Sequence, residues 1–190
     1  MLYRGCTELG LQCLIEGKDL IEGNPVWQVS DSRMAYFYDG EHEAFSYYED
    51  EEVYIEDAMI RAIEGGLTQC AALGLYTVYL VELSSMDHME DVSCEGMAKN
   101  GAVELSYSAD YEIVNVFKFE VPYWILTASA LSAADDCYLS YDVKQKFRAV
   151  SELFAGSFPC CDAFGKFIQE CLNTRDVHKV EISRQLRRVI

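Results

Sequence analysis

The sequence predicts an α+β fold, with a mixed sheet-and-helix core over residues 1–126 and a helical extension over residues 127–190. Three observations carry this. Runs rich in β-branched and aromatic residues recur between residues 2 and 121, as in LYRGC, TVYLVEL and YEIVNVFKFEV. Apolar residues at helical spacing separate them. Beyond Pro122 the strand signals stop and the pattern is helical to the end. At 190 residues, one domain or one domain with a small appendage is expected. A chain of this size buries roughly 70% of its unfolded surface, so it needs no disulfide or metal staple.

Taken in order, residues 2–6 read as a first strand. Thr7 is a helix N-cap, Leu11, Leu14 and Ile15 share a helical face, and Gly17 ends the helix. Gly23-Asn24-Pro25 signals a turn, and VWQVS (26–30) alternates as a second strand. Asp31 and Ser32 offer caps for a short helix carrying Met34, Ala35 and Tyr38. An acidic segment, 39–57, leads into a helix with Ile55, Met59, Ile63, Leu67 and Cys70 on one stripe, which Gly65-Gly66 is expected to weaken or bend. TVYLVEL (77–83) is a strand, 84–102 a loop, and 103–107 and 111–121 two further strands. Period two puts Glu112, Val114, Val116, Lys118 and Glu120 on one face of the last strand, and Ile113, Asn115, Phe117 and Phe119 on the other. Pro122 opens the next helix. The Phe147/Val150/Phe154 and Phe164/Phe167/Ile168/Cys171 stripes that follow are packing faces.

The formal net charge is −17, from 15 Lys+Arg against 32 Asp+Glu. This argues against DNA or RNA as a direct partner, since such binding depends on cations neutralising phosphates. Nine carboxylates fall between Asp39 and Asp57, and no Lys or Arg lies between Arg33 and Arg61. That stretch reads as a solvated loop and helix start, or as a site for a cation or a basic protein. The basic end (Arg175, Lys179, Arg184, Arg187, Arg188) reads as a terminal helix balancing the acidic body, or as a small local patch for a nucleic-acid target. The eight cysteines include no C-x-x-C pair, sit among apolar neighbours, and are expected as reduced thiols in a cytoplasmic setting. The N-terminus has no signal-peptide character, and no apolar run reaches the ~20 residues a membrane span needs.

No nucleophile elbow, zinc-protease or P-loop pattern is present, and His88 has no second His at metal spacing, so no metal is expected. The informative series is LYRGC, then VWQVSDSRMAYFY, then YEIVNVFKFEVPYWI. In order and spacing it resembles the ADP-ribosyltransferase-like fold, the family of diphtheria-toxin-like and cholera-toxin-like NAD-dependent transferases. The resemblance covers roughly residues 2–126 and implies a split mixed β-sheet core with flanking helices. Arg4 and Gly5 match the family's first motif. Ser30, Ala35 and Tyr38 match its second. Glu112, with Glu120 as rival, matches the Glu of its third.

The implied activity is mono-ADP-ribosylation of a protein with NAD as co-substrate, releasing nicotinamide, or hydrolysis of NAD. In that reading Arg4 offers its planar fork to a phosphate or ribose. Tyr38 and Tyr36 stack on the nicotinamide ring. Ser30 orients Arg4 or the carboxylate. Glu112 or Glu120 stabilises the positive charge developing on the ribose. Ser30 is equally a helix cap, either tyrosine equally a packing residue, and Glu112 equally an outward strand residue. The Asp110-Tyr111-Glu112 sequence departs from the paired Glu or Gln motif of arginine-modifying members, and Arg4 from the His of the other branch. Small transferases of this kind occur as bacterial toxins, phage effectors and anti-CRISPR proteins. The alternative is a non-catalytic acidic protein that inhibits a basic nucleic-acid-binding partner by docking on it.

Overall fold

The computed structural model describes residues 1–18, 34–39, 51–85, 89–90, 102–126, 145 and 161–182. Their elements are β1 (Leu2–Cys6), α1 (Glu8–Glu16), β2 (Met34–Asp39), α2 (Glu51–Leu73), β3 (Thr77–Ser84), β4 (Met89–Glu90), β5 (Ala102–Ser106), β6 (Glu112–Glu120) and α3 (Cys161–Asn173), with a 3-10 turn at Arg175–His178. The class is α+β. The six strands form one sheet in the order β4-β5-β2-β1-β3-β6, and every pairing is antiparallel.

The β1–α1 unit forms for local reasons. The Thr7 hydroxyl accepts from the Gly10 N–H at 3.3 Å and caps the helix. Gly17 ends it in the left-handed region, at φ 61° and ψ 36°, as a C-terminal glycine commonly does. Met34–Asp39 is a strand, where the sequence predicts a short helix. Its run of aromatics suits a pleated surface, and β1 and β5 pair it on both sides, so tertiary pairing outweighs the Asp31–Ser32 capping signal. The two-residue strand β4 falls within the expected loop and pairs with β5. The expected strand 26–30 and the helices between 127 and 160 lie outside the described residues, apart from a helical Gln145.

Alternation along the strands builds a separate core on each face. Tyr3, Val78, Leu80, Phe117 and Phe119 pack with Ala58, Met59, Ala62, Ile63, Leu67 and Cys70 of α2. Ile125 and Leu126, beyond Pro122, join this core, as do Ile168, Cys171 and Leu172 of α3. On the other face Leu2, Cys6, Tyr79, Val81, Leu83, Val103, Leu105 and Val116 pack with Leu11, Cys13 and Leu14 of α1. Leu2, Leu14, Ile63, Leu67 and Leu80 are fully buried. Each such side chain contributes about 1.5–3 kcal/mol through burial. At the sheet edge the Val180 N–H donates to the Val116 carbonyl at 2.8 Å, and Lys179 bridges Phe117. No helix among the described residues is long and apolar enough to cross a membrane.

Candidate functional site

Arg4 lies in the middle strand of the sheet, between β2 and β3. Its neighbours Tyr3 and Gly5 face α2, so alternation sets Arg4 on the α1 face with Leu2 and Cys6. It is 8% exposed, and its Nη2 donates to the Tyr107 hydroxyl at 3.4 Å. It also reaches the Cys6 thiol. Burial pushes that thiol up to about 11, and the nearby guanidinium only partly offsets the rise. Arg4 is therefore a cation built into the α1-side core.

Gly5 has a packing reason to be glycine. A Cβ there would stand 1.8 Å from the Ala62 carbonyl oxygen and 2.6 Å from its carbon. Gly66 makes the reciprocal approach: a Cβ on it would lie 2.8 Å from the Gly5 carbonyl carbon and 2.9 Å from the Cys6 nitrogen. The helix therefore rests backbone to backbone on β1, and Gly66 permits this seating.

The period-two assignment of β6 breaks at its N-terminal end. Asn115 pairs with Glu82, but Ile113 pairs with Leu83, so Val114 is skipped. This β-bulge reverses the faces beyond it. Ile113 joins Leu83 and Val116 in the α1-side core, and Glu112, opposite Ser84, moves to the α2 face. Arg4 and Glu112 thus occupy opposite faces of the sheet.

Glu120 remains on the α1 face. It pairs with Thr77, whereas Arg4 pairs with Val81, which pairs in turn with Val116. Four residues along the strands and two strand spacings separate their Cα positions by roughly 16 Å. The Glu120 carboxylate accepts from Thr77 Oγ1 at 3.3 Å and pairs with Lys118 Nζ at 3.3 Å, in solvent. Glu120 also lines a cleft of about 480 Å³ with Phe119, Pro122, Trp124, Lys166, Phe167, Glu170, Cys171, Thr174 and His178. The Phe119 and His178 rings stand 5.2 Å apart, inclined at 53°. Burial raises the Cys171 thiol to about 12.

Tyr38 stands opposite Tyr3 in the β1–β2 register, so its position and that of Arg4 alternate across the pleat. Tyr36 stands opposite Glu104. Ser30 lies outside the described residues. One buried carboxylate escaped the sequence reading. Glu82 is 8% exposed, on the α2 face, and accepts from Asn115 Nδ2 at 2.6 Å. Its signal was a single acid inside the apolar run TVYLVEL.

Chemically, the residues named for NAD cleavage fall in three places: Arg4 in the α1-side core, Glu112 on the α2 face, and Glu120 at the wall of the cleft. Among the described residues, no group of three or more His, Cys, Asp or Glu side chains is placed to hold a metal ion. The sheet with helices on both faces defines the coarse class, α+β. Compared with known proteins, the chain matches no family model, no curated protein and no solved structure.

Proposed function

We propose that the protein is a non-catalytic acidic binding protein that docks on a basic, nucleic-acid-binding partner. The observation that carries this reading is the position of Arg4. The cation an anionic dinucleotide would need is buried against Tyr107, on the opposite face from Glu112 and roughly 16 Å from Glu120. Without it, the net charge of −17 opposes NAD and favours a cationic partner. Association is expected to be fast at low ionic strength and to weaken steeply with salt. Titration of the full chain with a lysine-rich peptide at 20 mM and 300 mM salt, alongside an assay for nicotinamide release from NAD, tests it. Salt-sensitive binding without nicotinamide release supports the reading. Nicotinamide release that is lost in Glu112→Gln, a change at an exposed residue, overturns it.

A second reading is an NAD-dependent mono-ADP-ribosyltransferase acting on a protein, or an NAD glycohydrolase. It is favoured by the motif series and by Glu120 at the wall of a cleft whose volume falls within the usual range for small-molecule sites. Labelled ADP-ribose on a protein band separates the transferase from the hydrolase, and Glu120→Gln should abolish either activity.

A further inference from the structure

We infer that the cleft between the end of β6 and α3 receives a cationic side chain, lysine or arginine, of the basic protein partner. The inference rests on the binding reading above and names the place where one charge of that partner is held. Among the described residues, Phe119, Trp124 and Phe167 line the cleft. Phe119 is buried, and Trp124 and Phe167 are half-buried against the α2-side core. The core therefore holds these rings in place before anything binds. Aromatic faces attract cations, more strongly as the site is desolvated.

Charge points the same way. Among the described residues, Glu120, Glu170 and Lys166 are the acidic and basic members of the lining, and the Glu120 carboxylate itself lies on the α1 face. Lys118 and Thr77 already engage Glu120. Glu170 is exposed, and its carboxylate has no hydrogen bond or ion pair with the described residues, Lys166 one turn earlier included. His178, set against the Phe119 ring, also lines the cleft. An anionic ligand would meet Glu170 and a −17 field, with Lys166 as the one Lys or Arg among the described lining residues. A cation meets aromatic walls and the exposed Glu170 carboxylate.

The test is calorimetric titration of the full chain with hexalysine at low salt, with its fully side-chain-acetylated form as the neutral control. Binding of hexalysine alone is expected. Glu170→Gln should weaken it about threefold, and Trp124→Leu by about threefold to tenfold. Lys166→Gln should tighten it about threefold. Glu8→Gln, the same loss of charge on α1, should leave it unchanged. Glu170 and Lys166 are exposed, so their variants keep the test valid if Trp124→Leu fails to fold. If hexalysine binds wild type and all variants alike, the cleft is not the receptor and the acidic-surface reading survives. If hexalysine does not bind wild type, that reading fails, and this inference with it.

Discussion

Replacing Gly5 with alanine tests the central contact of the fold and the alternative role for this glycine together. The new methyl would stand 1.8 Å from the Ala62 carbonyl oxygen, whereas real Cβ atoms essentially never come within 3.0 Å of another atom. Relief needs a shift of at least about 1.2 Å, the difference between those distances. The obstacle is helix backbone, so no rotamer change can provide it. The shift must carry α2 away from β1, opening the layer around Tyr3, Ala58, Met59, Ala62 and Ile63. Overpacking of side chains costs about 1–3 kcal/mol. A backbone obstacle belongs at or above the top of that range. A domain of this size loses about 2–4 °C in melting temperature per kcal/mol, so a fall of about 6–12 °C or more is expected. Circular dichroism melting of both proteins measures it. A variant melting within 2 °C of wild type would refute the argument. If Gly5 served only to admit a dinucleotide, the substitution would leave stability intact and abolish NAD use.

The adjacent glycines of α2 should respond in opposite directions. Gly66→Ala meets Val78 Cγ2 at 2.5 Å and the β1 backbone below 3.0 Å, and should destabilise comparably to Gly5→Ala, without adding fully to it. Gly65→Ala meets nothing within 4 Å and should stabilise by about 0.5–1 kcal/mol; chemical denaturation separates the two. Asn115→Leu removes the amide donor to the buried Glu82 carboxylate and should cost about 1–3 kcal/mol, with Glu82→Gln/Asn115 intact costing less in the same denaturation assay. Burial raises the Cys6 thiol to about 11 and the Cys70 and Cys171 thiols to about 12, from a usual value of 9.0. These thiols ionise in the unfolded chain first, so stability should fall as pH rises from about 9 towards 11. At pH 8 their alkylation should proceed only at the rate of unfolding, read by mass spectrometry with and without denaturant.

Much of the fold was legible because its signals are local. Thr7 and Gly17 bound α1 through chemistry contained within a few residues, and the β-branched run of β3 declares itself. Met34–Asp39 misled because Asp31 and Ser32 look like caps, while the partners that make it a strand, β1 and β5, are distant in sequence. Gly5 and Gly66 were legible as glycines only. Their purpose is mutual contact across 61 positions, which no local pattern reveals. The candidate site was the least legible part. A regular alternation sets Glu112 on the same face as Val116 and thus of Arg4. One skipped residue, Val114, undoes this, and nothing in YEIVNVFKFEV marks where the skip falls.

That skipped residue also bears on how copies of the chain avoid one another. Among the described residues β6 is the outermost strand on its side of the sheet, and a long straight edge there would invite an incoming strand. Among the described residues, Lys179 and Val180 occupy the edge beside Val116 and Phe117, and none pairs with the stretch before it. There the bulge at Val114 bends the ladder, so a second chain cannot lay a regular register along it. The irregularity that parts Glu112 from Arg4 thus acts as a guard against sheet-to-sheet aggregation. A variant with Val114 deleted would restore both the alternation and the hazard.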